Sequence, residues 1–207
     1  MIAVPAPYPS WLVDCDTTLT AQTAAGLRAA GAAGVLRYLG ALSPTELALI
    51  LDAGLLCGLV TFADQWDPAS VRAELQALGV PQGVCVAIDV ESVHETADVV
   101  ASRIDACSAA IASLGLLPAL YVGADQPLDA AQLYARQTVR YWRSMSLVPE
   151  PRCGYSLAQG PTTVIAGVKV DIDYPRPDYY GRTWMLIGHA DSVSSSLSPV
   201  IGAPQSS

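Results

Sequence analysis

Short apolar runs alternate with longer amphipathic stretches through the first two-thirds of the chain. The short runs have strand length and end at polar or glycine residues, whereas the longer stretches have helical spacing. The runs predict strands at Trp11–Asp16, Gly34–Tyr38, Leu56–Phe62, Val84–Val90 and Leu117–Val122. The stretches predict helices at Ala21–Ala30, Pro44–Ala53, Pro68–Leu78, Glu95–Leu114 and Asp129–Gln137. Such alternation predicts a parallel sheet with helical crossovers.

Residues at the helix ends support these boundaries. Ser43 precedes Pro44 and Asp67 precedes Pro68, which is the N-cap and first-turn proline arrangement that begins helices. A glycine follows each of the first four helices, where a left-handed residue commonly ends a helix. These glycines are Gly31, Gly54, Gly79 and Gly115.

The pattern changes after residue 138, where the connections become too short or too rich in proline for helices. Three further strands are predicted at Thr138–Trp142, Arg152–Leu157 and Val164–Asp173. Five βα units followed by three strands give eight strands, enough to close a barrel. The sequence therefore predicts the α/β class and an irregular TIM-type barrel with few helices in its last third. The barrel is expected over residues 1–190, with Tyr179–His189 as a terminal helix or strand, and a Ser/Pro/Gly-rich tail over 191–207.

Composition excludes several function classes. With 19 acidic against 11 basic residues the net charge is −8, and no basic stripe is present, so nucleic-acid binding is not expected. No apolar run approaches the ~20 residues that span a bilayer. The N-terminus lacks the basic segment of a signal peptide. The five cysteines are dispersed and there are two histidines, so we expect buried free thiols and no zinc site.

Two acids end the fourth predicted strand. Asp89 and Glu91 are two residues apart, so they share one face of the strand, with Cβ atoms roughly 6–7 Å apart. Such a pair can divide acid and base roles between two carboxyls. Other strand ends contribute polar and aromatic residues to the same side of a parallel barrel. These are Asp14, Asp16, Arg37, Tyr38, Asp64, Tyr121, Trp142, Gln159, Asp171 and Asp173. An acidic and aromatic mouth is typical of a carbohydrate cleft.

The order and spacing of these residues resemble the glycoside hydrolase family 25 lysozyme superfamily, and more closely the glycoside-hydrolase-like domain of unknown function numbered 1906. The resemblance spans about residues 11–185. The matching residues are Asp16, Arg37-Tyr38, Asp89-Val90-Glu91, Tyr121, Tyr141-Trp142 and Val170-Asp171-Ile172-Asp173. Strand one carries both Asp14 and Asp16 where the family has one acid; we favour Asp16, because Thr17 and Thr18 follow it as small polar residues do in the family.

The resemblance implies hydrolysis of the β-1,4 bond between N-acetylmuramic acid and N-acetylglucosamine, without a metal or organic cofactor. Glu91 would be the general acid, and Asp89 would position or stabilise the reacting sugar. Asp16 and Asp171 would be the further acids of the cleft. We expect Arg37, Tyr38, Tyr121, Trp142 and Gln159 to bind substrate, with Arg37 also a candidate ion-pair partner of the cleft acids. Asp14 and Asp173 are expected to be structural.

Three functions compete at this point. The first is a peptidoglycan-directed muramidase, acting at the bacterial cell wall after virion-associated or non-classical export. The second is a glycan-binding or structural barrel that does not cleave, such as a phage virion component that assembles through the tail. The third, an amidase on the same barrel, has less support because the cleft offers neither metal ligands nor a Ser-His or Cys-His pair.

Overall fold

The computed structural model describes residues 1–62 and 66–190. Its strands are β1 Ile2–Pro5, β2 Leu12–Cys15, β3 Gly34–Tyr38, β4 Leu56–Thr61, β5 Cys85–Val90, β6 Leu117–Val122, β7 Arg140–Arg143, β8 Leu157–Ile165, β9 Val168–Pro175 and β10 Met185–Gly188. Its helices are α1 Ala21–Ala29, α2 Pro44–Asp52, α3 Pro68–Ala77, α4 Ala97–Ala112 and α5 Ala130–Tyr134.

Eight strands, β2 to β9, close a barrel. Each strand from β2 to β7 pairs in parallel with the next along the chain. β9 closes the ring by pairing antiparallel with both β8 and β2. The predicted fold class, an irregular α/β barrel of TIM type with few helices in its last third, is confirmed. The reversed direction of β9 was not predicted, and it means that Asp171 lies near the middle of its strand rather than at its end.

The opposite end of the barrel is closed by a pair of strands outside the ring. β1 pairs antiparallel with β10, and β10 pairs with β4 at Cys57. Trp184, just before β10, is fully buried among the side chains that fill the barrel. The terminal segment left open between helix and strand is therefore a strand, and β1 was missed because its four residues run into a proline-rich stretch.

Two cores hold the barrel. One lies between the strands and the surrounding helices, and the other fills the barrel interior. Alternation along each strand sends successive side chains to one core and then the other. On β3, for example, Val35 belongs to the outer core and Leu36 to the inner one. This alternation decides which polar residues reach the barrel mouth.

The predicted helix boundaries hold to within a few residues. Ser43 and Asp67 cap α2 and α3 by accepting from the backbone N–H groups of Glu46 and Ser70. The four glycines predicted to end helices all adopt positive φ. The last strands start later than predicted, because residues 144–156 form turns and an irregular segment before β8 begins. α5 has only five residues.

All five cysteines are buried and free, as the sequence predicts. Within residues 1–62 and 66–190, no helix is long and apolar enough to cross a bilayer. The tail predicted at 191–207 lies outside the described residues.

Candidate active site

The inner face of the barrel continues upward from the core into a set of polar side chains. Leu12, Leu36, Ala87, Ala119 and Leu157 all belong to the inner core. Two residues further along each strand, on the same face, lies a polar residue of the mouth. These are Asp14, Tyr38, Asp89, Tyr121 and Gln159. The period of the strands thus brings five of the sequence candidates together at one end of the barrel.

An open cavity of about 290 Å³ occupies this mouth. Its lining residues come from the ends of β2, β3, β4 and β5 and from the β8–β9 hairpin. They are Asp14, Cys15, Asp16, Tyr38, Phe62, Asp89, Thr162, Lys169, Val170 and Asp171. The cavity is therefore walled by four aspartates, two aromatic rings and one lysine, with the barrel core as its floor.

Asp89 is the most unusual carboxyl in the cavity. Its side chain is only 8% exposed, and Oδ1 has no hydrogen-bond partner among the described residues. Burial, followed by the negative charges of Glu91 and Asp14, raises the pKa of Asp89 to about 8. Asp89 therefore carries a proton at neutral pH, and its Oδ1 is buried without a partner at the edge of the cavity.

Glu91 follows Asp89 by two residues, just beyond the end of β5, and packs tightly against the residue that follows β6. A Cβ placed on Gly123 would lie 2.4 Å from the Cβ of Glu91, so only glycine fits beneath it. Ser92, the next residue, adopts a positive φ of 54° and donates its backbone N–H to Ala124. The chain thus turns sharply after Glu91, which holds this half-buried carboxylate beside Asp89 at the mouth.

Gln159 links the opposite side of the mouth. Its Nε2 donates to Asp14 Oδ2 at 3.3 Å and to Asp171 Oδ2 at 3.1 Å, while its Oε1 accepts from the Tyr121 hydroxyl at 3.0 Å. Thr162 also donates to Asp171. These bonds fix two carboxylates and a tyrosine around one amide, so this wall is pre-organised.

Asp14 and Asp173 form a second buried acid pair. Burial raises the pKa of Asp14 to about 6, and the negative charge of Asp171 acts in the same direction. Asp173 is fully buried, and this burial together with the charge of Asp14 raises its pKa well above the usual range. Asp173 Oδ1 accepts from Trp142 Nε1 at 2.9 Å, and its Oδ2 is buried with no hydrogen-bond partner among the described residues.

The structure distinguishes the two acids of strand β2. Asp14 lies on the inner face, contacts Gln159 and is 6% exposed, whereas Asp16 follows the strand and is exposed at the rim. Both line the cavity. Asp14 is thus the buried acid that faces Asp89, and the role of each acid stays a prediction.

Arg37 does not reach the mouth. It follows Val35 on the outer face of β3, is 0% exposed, and its Nε donates to Glu46 Oε1 at 3.0 Å on α2. Arg37 also donates to the Cys15 carbonyl, and Glu46 accepts from the Leu19 backbone N–H at 2.7 Å. Its expected roles as a substrate ligand and a partner of the cleft acids are therefore incorrect; the Arg37–Glu46 pair fixes the loop after β2.

The aromatic candidates divide into two groups. Tyr38 stacks on Phe62 with ring centroids 4.4 Å apart and planes 20° apart, and both line the cavity. Trp142 is only 1% exposed and Tyr121 only 4%, and the two rings pack against each other with centroids 4.4 Å apart. Trp142 is thus too buried to stack on a sugar, contrary to expectation. Phe62 was missed, although its place at the end of a strand could have indicated it.

The described residues offer no set of metal ligands, since no three His, Cys, Asp or Glu side chains lie together in a way that could hold a metal ion. The candidate Asp64 lies outside the described residues. Gln159, Asp171, Asp89 and Glu91 meet at the mouth as predicted. The site is consequently a cleft of carboxylates, an amide and an aromatic stack.

Comparisons with known proteins agree on the fold. No family model matches the sequence, and no curated protein matches it. Among solved structures, the chain is similar to an uncharacterized B. stearothermophilus protein, with 16% identity, a TM-score of 0.62, and coverage of 81% of this chain and 96% of that one.

Two similar structures carry a described activity. One is a bacterial lysozyme from Streptomyces coelicolor, with 11% identity, a TM-score of 0.56, and coverage of 83% of this chain and 94% of that one. The other is GHIP, a glycosyl hydrolase 25 of Streptococcus pneumoniae, with 12% identity, a TM-score of 0.56, and coverage of 81% and 87%. At such identities the likeness establishes the barrel fold that this chain shares with lysozymes of glycoside hydrolase family 25.

Proposed function

We propose that this protein is a peptidoglycan-directed glycoside hydrolase of the muramidase type, within the family 25-like superfamily and near the domain numbered 1906. One observation carries the proposal. Asp89, a buried carboxyl with a raised pKa and an unpartnered oxygen, lines an open cleft beside a second carboxyl, Glu91. Glycoside hydrolysis requires such a pair, in which one group is protonated and the other ionised.

In the free protein, burial raises the pKa of Asp89, so Asp89 carries a proton. An N-acetyl N–H of the substrate that donates to the Asp89 carboxyl would favour the ionised form of Asp89. Binding of such a substrate releases the proton of Asp89, and we assign the proton that the leaving group takes to Glu91. Substrate binding thereby produces the reactive state, with Glu91 as proton donor and Asp89 as a carboxylate that stabilises positive charge on the sugar.

Bond cleavage follows from that state. Glu91 gives its proton to the leaving oxygen as the bond from that oxygen to the anomeric carbon breaks. Water then bonds through its oxygen to the anomeric carbon, and one of its protons returns to Glu91. The reaction consumes one water, regenerates the carboxyl pair and creates one new reducing end. Each step uses only groups of this cleft and water.

The rest of the cleft binds the glycan. The stacked rings of Tyr38 and Phe62 offer an apolar surface for one sugar face. Asp14, Gln159 and Asp171, already tied together, present acceptors to sugar hydroxyls across the cavity. The pre-organisation of these groups lowers the cost of ordering them on binding.

The experiment is digestion of purified peptidoglycan, with new reducing ends measured by mass spectrometry. Wild type is expected to release muropeptides. The Glu91→Gln and Asp89→Asn variants should each release at least roughly 10²-fold less. Arg152→Gln, an exposed change outside the cavity, is the matched control and should equal wild type. Wild type releasing no more than Glu91→Gln would reject the hydrolase; glycan retention by both would then support the binding module.

The proposal places the site of action at the bacterial cell wall. Delivery on a virion or by non-classical export stays a prediction, as does assembly through residues 191–207, which lie outside the described residues.

A further inference from the structure

Lys169 is the single lysine of the chain, and it lies in the cleft. It is on the inner face of β9, two residues before Asp171, so the two side chains project from the same face roughly 6–7 Å apart at Cβ. Among the described residues that line the cavity it is the one cation, facing four aspartates. A lone ammonium in an otherwise acidic cleft is the natural contact for an anionic group on a ligand.

The Lys169 ammonium is exposed and makes no ion pair within 4 Å of any described acid. Arg37, a cation on β3, is committed to Glu46 and fully buried. Lys169 is therefore available to a ligand, whereas Arg37 is not.

The hairpin that carries Lys169 is firmly placed. β8 and β9 are joined by the two-residue turn Ala166–Gly167, with φ of 53° and 81°, as in the tight turns that match strand twist. The tip rests on α1, where a Cβ placed on Gly26 would lie 2.5 Å from the Cβ of Ala166. Since only a glycine admits this contact, the hairpin is held against the helix, and the backbone of Lys169 is positioned before any ligand arrives.

We propose that Lys169 is a specificity residue that selects glycans bearing a carboxylate, the group that distinguishes a muramic acid polymer from neutral chitin. The inference rests on the proposed function and narrows its substrate class. The acidic walls disfavour an anionic chain in general, because like charges repel. An anion placed at Lys169 avoids that penalty. The carboxylate comes either from the lactyl group of the sugar or from its peptide stem.

Binding measured by calorimetry in a Glu91→Gln background tests the inference without cleavage. The probes are three glycans of equal length: neutral chitohexaose, a peptide-free GlcNAc–MurNAc hexamer with free lactyl carboxylates, and the same hexamer carrying peptide stems. Lys169→Gln should weaken binding of the anionic probes by about fivefold to tenfold while leaving chitohexaose unchanged. The probe that loses more affinity identifies the source of the carboxylate.

Lys169→Arg retains the charge and should bind like the parent, and Arg152→Gln, with the same loss of charge elsewhere, should too. The selectivity should also fall as salt is raised, because the contact is exposed. Equal effects of Lys169→Gln on neutral and anionic probes, or none on either, would overturn the inference. Peptidoglycan digestion by wild type is scored separately, so a binding protein that selects carboxylates without cleaving would reject the hydrolase and leave the role of Lys169 standing.

Discussion

At the scale of single residues, the cleft depends on how burial shifts the pKa values of three crowded acids. Burial raises the pKa of Asp89 to about 8, that of Asp14 to about 6 and that of Asp173 well above its usual range. The barrel interior provides this arrangement, because its core removes water from any carboxyl just above it. Asp89 therefore keeps its proton at neutral pH, whereas Asp14 is mostly ionised.

Asp14 and Asp16 allow a direct comparison of two acids on one strand. Asp14→Asn removes the buried carboxylate that Gln159 contacts, so we expect kcat/KM on peptidoglycan to fall roughly 10²-fold. Asp16→Asn, at the exposed rim, should lower it less than about threefold. Steady-state kinetics on the two variants measures the difference. The reverse ranking would show that the rim acid serves the chemistry.

The pKa of Asp89 should respond to its neighbour. Glu91→Gln removes a negative charge, so the pKa of Asp89 should fall below its value of about 8, while burial keeps it above that of an exposed aspartate. Carboxyl ¹³C chemical shifts of labelled aspartate, followed with pH, report the change. An unchanged pKa would show that the charge of Glu91 does not act on Asp89.

At the scale of elements, the buried Arg37–Glu46 pair joins β3, α2 and the loop after β2. The pair holds the Cys15 carbonyl and the Leu19 N–H, the two ends of the loop that contains Asp16. Because two charges have been taken out of water to form the pair, its net contribution to stability is small, and its main effect is to fix this loop at the rim of the mouth. The element therefore supports the site without touching a ligand.

Breaking this pair on one side should be costly. Arg37→Met leaves Glu46 buried and unpaired, and the free energy of unfolding should fall by about 3–5 kcal/mol. The double variant Arg37→Met with Glu46→Leu should recover part of the loss, although the Cys15 and Leu19 groups remain unpaired. Urea unfolding measures both. A double variant no more stable than the single would mean that the loop contacts, rather than the lost charge pairing, set the cost.

At the scale of the whole molecule, the folded chain binds protons that the unfolded chain releases. Asp89 and Asp14 titrate near pH 8 and pH 6 when folded, against about 3.9 when unfolded. The stability that these protons confer is fully present below about pH 4 and is lost as the pH rises through the folded values. The cleft thus costs stability at the pH where it is expected to act.

The free energy of unfolding should fall between pH 4 and 8 less steeply in Asp89→Asn than in wild type. The asparagine is neutral at every pH, whereas each unit of pH in this window costs up to ~1.4 kcal/mol for a carboxyl protonated only when folded. Denaturant unfolding at a series of pH values gives both slopes. Parallel slopes for the two proteins would contradict the raised pKa.

Much of the barrel follows from the sequence, because strand and helix periods, caps and glycine ends are local signals. The direction of β9 does not, since antiparallel and parallel strands share the same period, and the height of Asp171 depends on that direction. The error at Arg37 could have been avoided. Arg37 and Tyr38 are adjacent on a strand, so only one of them can face the mouth.

The strand period predicts which side chains face the barrel interior, but it does not predict how deep each of them lies. Asp14 and Asp16 share a face, and the strand pattern alone does not say which lies in the wall and which at the rim. Trp142 faces inward as expected, but its side chain is too buried to meet a sugar. Lys169 was missed as a cleft residue, although its position two residues before Asp171, on the same face of the strand, could have indicated it.

The most direct test of the central claim is the position of a label after digestion of peptidoglycan in H₂¹⁸O. Cleavage by the Asp89–Glu91 pair predicts one ¹⁸O at the anomeric carbon of each new reducing end, seen by mass spectrometry after borohydride reduction has fixed the label, and lost in Glu91→Gln. Label confined to a lactyl or peptide carboxyl, or no labelled fragment from wild type, would contradict glycoside hydrolysis by this cleft.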